Sequence, residues 1–277
     1  MNGISSISFE SKCIAYLEAI HRDKENSING RAQCTGFFWR NNGVPYLITN
    51  RHCVTGKNEK NIRLDDSFPP IGLQIYFWVA GKCIDEDAHE YHLRAIEYLL
   101  WENSAPAWQE HPDGHIIDVV ALKIDDFPDP IHCVNDKMQY EHWYPEAGTD
   151  CFIVGYPEGL SGNEGTPIWK RASIASEPDM PFDGKPLFLC DSATRPGMSG
   201  SPVFAKMLGE FAPGGNQFDG SKTPRFWGHW TKFLGVYSGR NGAEEDGFQL
   251  GRVWKANVID EIIANSAEPS SPFIPQN

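Results

Sequence analysis

Eight short runs rich in β-branched and aromatic residues, each cut off by Gly, Pro, Asp or another turn-former, constrain this chain more than any other feature. They are GFFWR (36–40), PYLITN (45–50), LQIYFWVA (73–80), IIDVVALKI (116–124), CFIVGY (151–156), LFLCD (187–191), SPVFA (201–205) and FLGVYSG (233–239). Runs of this length and composition suit a pleated, half-buried surface and are too short for ordinary helices. The expected fold is therefore mostly β. IAYLEAIHR (14–22) fits either period and is read as a further strand. Two segments read as helical: HEYHLRAIEYLLWEN (89–103), with apolar residues near helical spacing, and ANVIDEIIANS (256–266), whose Val258, Ile259, Ile262 and Ile263 share one face. The polar stretch Tyr144 to Asp150 separates two strand-rich halves. It sets expected domains at 1–145 and 146–267, the second ending in a helix, followed by a Pro- and Ser-rich tail, EPSSPFIPQN (268–277).

Composition excludes several classes of function. A chain of 277 residues with 40% hydrophobic content can bury a sizeable core. Its formal net charge of -13 argues against nucleic acid or an anionic membrane as partner, because phosphate binding draws on clustered Lys and Arg. No window holds the roughly 18 consecutive apolar residues that a membrane span requires. The opening MNGISSISFESKCIAYLEAI has no basic region followed by an apolar core and a small-residue cleavage site, so a cytoplasmic location is expected. Seven scattered cysteines without a CxxC pair imply neither a zinc site nor a full disulfide framework, and reduced thiols fit that address. HEYH (His89, Glu90, His92) lacks a third ligand and the HExxH spacing, and is read as a solvated helix face. Trp227 and Trp230 are read as core or loop packing. No metal and no cofactor is expected.

One segment is built differently. In TRPGMSGSPVF (194–204) a lone Ser199 lies between two glycines, Gly197 and Gly200, directly after a Pro-Gly turn. A serine hydroxyl is a poor nucleophile unless a base takes its proton and an acid orients that base. His52 closes the strand-like run in TNRHCV, and Asp118 interrupts the apolar run HIIDVVALKI, where an unpaired carboxylate is costly to bury and an imidazole is the natural partner. Asp113, Asp125 and Asp126 are nearby alternatives; Asp118 is chosen because it heads VVALKI.

With these residues in hand, the sequence resembles the chymotrypsin-fold (trypsin-like) serine proteases, in particular their compact intracellular and bacterial branch. The order His52, Asp118, Ser199 is that family's order. TGFFWRNNGVPYLITNRHCV looks like its catalytic-His segment, DVVALKI like its Asp strand, RPGMSGSPVF like its nucleophile loop, and VGYPEGL with RASIAS like the stretch opening its second barrel. The resemblance implies two antiparallel six-stranded β-barrels and hydrolysis of peptide bonds through an acyl-enzyme. Ser199 would be nucleophile, His52 general base and Asp118 its orienter, with the backbone amides of Gly197 and Ser199 as oxyanion hole. Gly197 would let the loop bend, Gly200 leave room, and Pro196 stiffen the approach. FLGVYSGR resembles the strand that pairs with substrate, with Ser238 supporting the triad Asp and Gly239 beside it. Cys34 and Cys53 fall near the family's disulfide beside the catalytic His, yet a cytoplasmic setting favours thiols.

Departures from the family pattern shape the rest. Met198 stands where relatives activated by N-terminal cleavage carry an Asp, so such activation is not expected, and the loop is either formed from the start or awaits a partner. Ser201 replaces a second Gly. The family's primary pocket would have Ala193 at its base, Thr194 beside it and Gly251 as an open wall, which implies an uncharged substrate side chain. The acidic trio Glu244, Glu245 and Asp246 on the rim offers the opposing choice of a basic one. GMSGS is not read as an α/β-hydrolase elbow, because its last Gly is missing and alternating helices are absent. The long gap between His52 and Asp118, carrying IDEDAHE and the segment 89–103, implies narrow specificity and a regulatory protein partner. A latent or inactive binding module on the same fold is the alternative.

Overall fold

A computed structural model of the chain describes residues 7–22, 28–58, 60–64, 69–85, 88–103, 105–125, 130–137, 143–211, 226–241 and 249–265. Among the described residues fifteen strands and three α-helices follow one another: α1 (Phe9–Lys12), β1 (Ile14–Arg22), β2 (Ile28–Asn41), β3 (Val44–Thr49), α2 (Arg51–Thr55), β4 (Gly72–Asp85), β5 (Ala88–Leu99), β6 (Trp101–Glu102), β7 (Ala105–Pro106), β8 (Gln109–Glu110), β9 (Val120–Lys123), β10 (Asp150–Gly155), β11 (Ile168–Ile174), β12 (Leu187–Asp191), β13 (Pro202–Phe211), β14 (Phe226–Arg240), β15 (Leu250–Lys255) and α3 (Asn257–Asn265). The molecule is mostly β. Two large antiparallel sheets divide the strands: a seven-stranded sheet in the order β5-β4-β1-β2-β3-β9-β8, and a closed barrel in the order β10-β11-β12-β15-β14-β13. The first sheet thus differs from an expected six-stranded barrel: it has seven strands and β5 at one edge.

Period-two alternation explains how the sheets meet. On β1, Ala15, Leu17 and Ala19 face one cluster and Ile14 the other; on β2, Cys34 and Phe38 oppose Phe37 and Trp39; on β9, Val120 and Leu122 oppose Ala121. One face of the sheet therefore encloses its own core with Leu47, Ile75 and Phe77. Its other face packs on outward residues of the barrel, Leu187, Leu189, Phe204, Phe233, Val236 and Trp254. The barrel keeps a third core of Cys151, Ile153, Phe188, Cys190, Met198, Val203, Tyr237 and Val253. Helix α3 buries Val258, Ile259 and Ile262 in the shared middle layer and is pinned to the first sheet, where Trp39 donates Nε1–H to Asp260 at 3.2 Å and His111 Nε2 meets Glu261 at 2.9 Å.

Segment 89–103 is not a helix. β5 runs antiparallel to β4 from Gly72↔Leu99 to Asp85↔Ala88, and Ile96 and Tyr98 turn to the first core while Ala95 and Glu97 stay exposed. Its Leu, Ala and Glu are good helix formers. Pairing along the whole of β4 overrides that propensity, and the apolar residues at 96, 98 and 100 carry a period of two. β11 and β15 were not among the eight runs, since IWKRASI and LGRVWK are broken by Lys and Arg. The acidic trio 244–246 and the tail 268–277 lie outside the described residues, as does the side chain of His89.

Candidate active site

A cavity of about 330 Å³ opens at the seam between sheet and barrel, lined by His52, Asp118, Ser199, Ser238, Gly239 and Arg252 among others. The structure brings together residues that sit 66 and 81 positions apart in sequence. His52 lies on α2, a five-residue helix just past β3, rather than at a strand end. That helix is anchored by Arg51, whose Nε–H donates to Glu110 at 3.0 Å with both side chains buried, while Trp108 donates Nε1–H to the same carboxylate oxygen. Asp118 precedes β9 and is 6% exposed. Its backbone carbonyl accepts from the Asn50 amide side chain at 2.7 Å.

The Asp118 carboxylate is fully used. Oδ2 meets His52 Nδ1 at 2.7 Å and accepts the Ser238 hydroxyl at 2.6 Å, and Oδ1 accepts the His52 backbone N–H at 2.9 Å. With Asp118 accepting Nδ1–H, the lone pair of Nε2 is left as the base. Burial pushes the Asp118 pKa up, but the neighbouring imidazole charge and these hydrogen bonds outweigh it and hold the carboxyl below the usual range. For His52, burial pulls the pKa down, and the Asp118 charge reverses this to hold the imidazole well above its ordinary value. Ser199 is partly buried in the same cavity. No Ser199–His52 hydrogen bond is present among the described residues, a contact that in such sites often tightens only with substrate.

The loop before Ser199 is held by its carbonyls. Pro196 O accepts from Glu158 N at 2.6 Å, Gly197 O from the Thr35 hydroxyl at 2.8 Å, Met198 O from Ser201 N at 3.0 Å and Ser199 O from Thr35 N at 2.8 Å. The amides of Gly197 and Ser199 have no acceptor among the described residues, so two N–H donors are left beside the Ser199 hydroxyl, an arrangement that can receive an oxyanion. Gly197 adopts φ +91°, and a Cβ there would lie 2.4 Å from Tyr156 O. At Gly200, φ is +84° and a Cβ would lie 2.0 Å from Thr35 O. Neither position admits a side chain. Met198 is fully buried in the barrel core, so an apolar anchor occupies the place of the absent Asp.

The slot read from Ala193, Thr194 and Gly251 takes a different form. Ala193 is exposed rather than at the base of a recess. The Tyr237 phenol lies between the other two: its hydroxyl meets the Thr194 hydroxyl, and its ring would stand 2.4 Å from a Cβ on Gly251. The physical reason is volume, since removing the side chain at residue 251 makes room that the neighbouring strand fills. Cys34 and Cys53 are buried free thiols in contact through a side-chain hydrogen bond. No group of three or more His, Cys, Asp or Glu able to hold a metal ion occurs among the described residues, and none of their helices is long and apolar enough to cross a membrane. Sequence reasoning missed Thr35, Asn50, Glu158 and Tyr237. Thr35 and Asn50 carry no motif; Tyr237 was in view, adjacent to Ser238.

This arrangement agrees with comparison to known families. Residues 34–211 match the trypsin-like peptidase domain, and the chain belongs to that family. No curated protein matches it. Among solved structures, it is similar to the inactive form of a serine-to-alanine mutant of Rv3671c from M. tuberculosis H37Rv, at 18% identity and TM-score 0.45, covering 92% of this chain and 86% of that one.

Proposed function

We propose that the chain is a serine endopeptidase of chymotrypsin-like architecture that cleaves peptide bonds through an acyl-enzyme on Ser199. One observation carries the reading: a carboxylate-bound imidazole with an available Nε2 shares a cavity with a serine whose loop leaves two amides unspent. His52 takes the Ser199 proton as Oγ attacks the carbonyl carbon, and the Gly197 and Ser199 amides receive the developing oxyanion. The imidazolium, held by Asp118, returns that proton to the leaving amine as the C–N bond breaks. Water then attacks the ester by the same route and frees Ser199. The buried thiols support a reducing, cytoplasmic setting. The β4–β5 hairpin, inserted between His52 and Asp118, supports control by a protein partner and a narrow substrate range. The alternative, a latent binding module, is favoured by the one missing Ser199–His52 hydrogen bond.

A fluorophosphonate probe separates the two. Folded protein is expected to label at Ser199 and Ser199→Ala to lose the label, together with any peptidase or ester hydrolysis, a fall of about 10⁶-fold. Absence of labelling in folded protein, with or without added partner, would sink the reading.

A further inference from the structure

β13 pairs with β14 only as far as Pro202↔Val236, followed by the Tyr237–Ser201 backbone bond. Past that point residues 238–240 have no strand beside them on the cleft side among the described residues. A peptide adding there as a strand, with one carbonyl at the Gly197 and Ser199 amides, would, by the resemblance to trypsin-like proteases, turn the side chain of that carbonyl's residue toward the primary pocket between 238–240 and 192–196.

That gap is bridged and filled. Arg240, on one wall, donates Nη2–H to Thr194 O on the other at 2.7 Å. Behind it, the Thr194 and Tyr237 hydroxyls are bonded to each other, with the residues 2% and 1% exposed. The Tyr237 ring takes the space over Gly251, where Cys190 Sγ also approaches a Cβ position at 3.2 Å. Tyr237 belongs to the barrel core with Met198, the residue preceding the nucleophile, so moving the ring disturbs the loop that holds Ser199. Resting on the hydrolase reading above, we propose that the residue contributing the attacked carbonyl must be small, glycine, alanine or serine, because Tyr237 fills and Arg240 bridges the recess that its side chain would enter. Tyr237 is then the specificity-determining residue of this site.

The experiment profiles a peptide library varied at that one residue. Wild-type enzyme should cleave after Gly, Ala and Ser at least about tenfold better than after Leu, Phe, Lys, Arg, Asp or Glu. Tyr237→Phe keeps the ring and should keep the profile, whereas Tyr237→Val empties the recess and should raise Leu and Phe about tenfold relative to Ala. Should the valine variant fail to fold, Arg240→Ala at the partly exposed mouth serves instead, with longer unbranched side chains gaining about threefold. Wild-type preference for any large, acidic or basic residue overturns the inference, as does a profile unmoved in both opened variants. Fluorophosphonate labelling of the same samples keeps the readings apart: unlabelled wild type defeats the hydrolase reading, and labelled enzyme with a large-residue preference defeats only this one.

Discussion

The two sides of the cleft are positioned by opposite means. On the sheet side, side chains do the holding: Asp118 accepts from the His52 ring, the His52 amide and Ser238, and Asn50 secures the Asp118 carbonyl. On the barrel side, four consecutive carbonyls from Pro196 to Ser199 are tied down while the amides of Gly197 and Ser199 are left unspent. The difference follows from what each side must offer. A base needs one nitrogen fixed so that the other is aimed, and a carboxylate does this while supplying charge. An oxyanion hole, as proposed for Gly197 and Ser199, needs free donors, so a loop serving as one can be anchored only through its acceptors and its apolar side chains, here Met198.

Replacing Asp118 tests the side-chain half most severely. Asp118→Asn should lower kcat by about 10⁴-fold, as expected when the imidazole loses its orienting acceptor. The pH profile gives the sign. His52 acts as base only when neutral, and Asp118 holds it above the ordinary imidazole value of about 6.5, so wild-type acylation should climb with pH above that value. Without the carboxylate, burial dominates and the limb should move to lower pH. A limb that stays in place would show that the Asp118 charge does not govern the imidazole.

Thr35 tests the carbonyl half. It reaches from β2 with two groups, its N–H to Ser199 O and its hydroxyl to Gly197 O, and the same hydroxyl accepts from Tyr156 N at 3.1 Å. Thr35→Val keeps the shape and removes both hydroxyl bonds. Buried bonds of this kind are worth about 1–3 kcal/mol when one partner is left unsatisfied, so kcat for p-nitrophenyl acetate should fall roughly 10- to 100-fold with KM nearly unchanged. Thr35→Ser should restore most of it, and the pH limb should not move. Equal losses in Val and Ser variants would mean that Thr35 only packs.

How much of this the sequence disclosed follows the same division. That His52, Asp118 and Ser199 meet in one cleft was legible because each sits in its own local pattern: a His52 that closes an apolar run, an Asp118 costly to bury alone, a Ser199 between two glycines. β12 was legible end to end, since LFLCD is a short apolar run closed by turn-formers, whereas IAYLEAIHR fits either period and is settled as β1 only by its pairing with β2 and β4. Segment 89–103 was not, because only its partner β4 distinguishes the 96-98-100 alternation from a helical face. Thr35 and Glu158 were invisible for another reason: they act through backbone groups of residues far away in sequence, and any residue's carbonyl looks the same on paper. How the slot at Ala193, Thr194 and Gly251 is filled was not legible, because a missing side chain predicts space only if nothing else moves in, and here Tyr237 on a neighbouring strand stands beside Gly251.

The smallest effect carries the finest test of the side-chain half. Ser238 donates to Oδ2, the same Asp118 oxygen that holds His52 Nδ1–H. Ser238→Ala leaves the His52 ring and amide as the carboxylate's remaining donors, so orientation loosens but survives, and kcat/KM should fall only about fivefold, the worth of one modest hydrogen bond. Its backbone carbonyl and the strand edge are retained, so binding should change little. The pH limb should move the other way from that in Asp118→Asn. With one donor gone, Oδ2 concentrates more negative charge on the imidazole, which favours the protonated His52 and shifts the limb to higher pH. Downward movement in both variants would mean that Ser238 serves to exclude water from Asp118 rather than to share its charge.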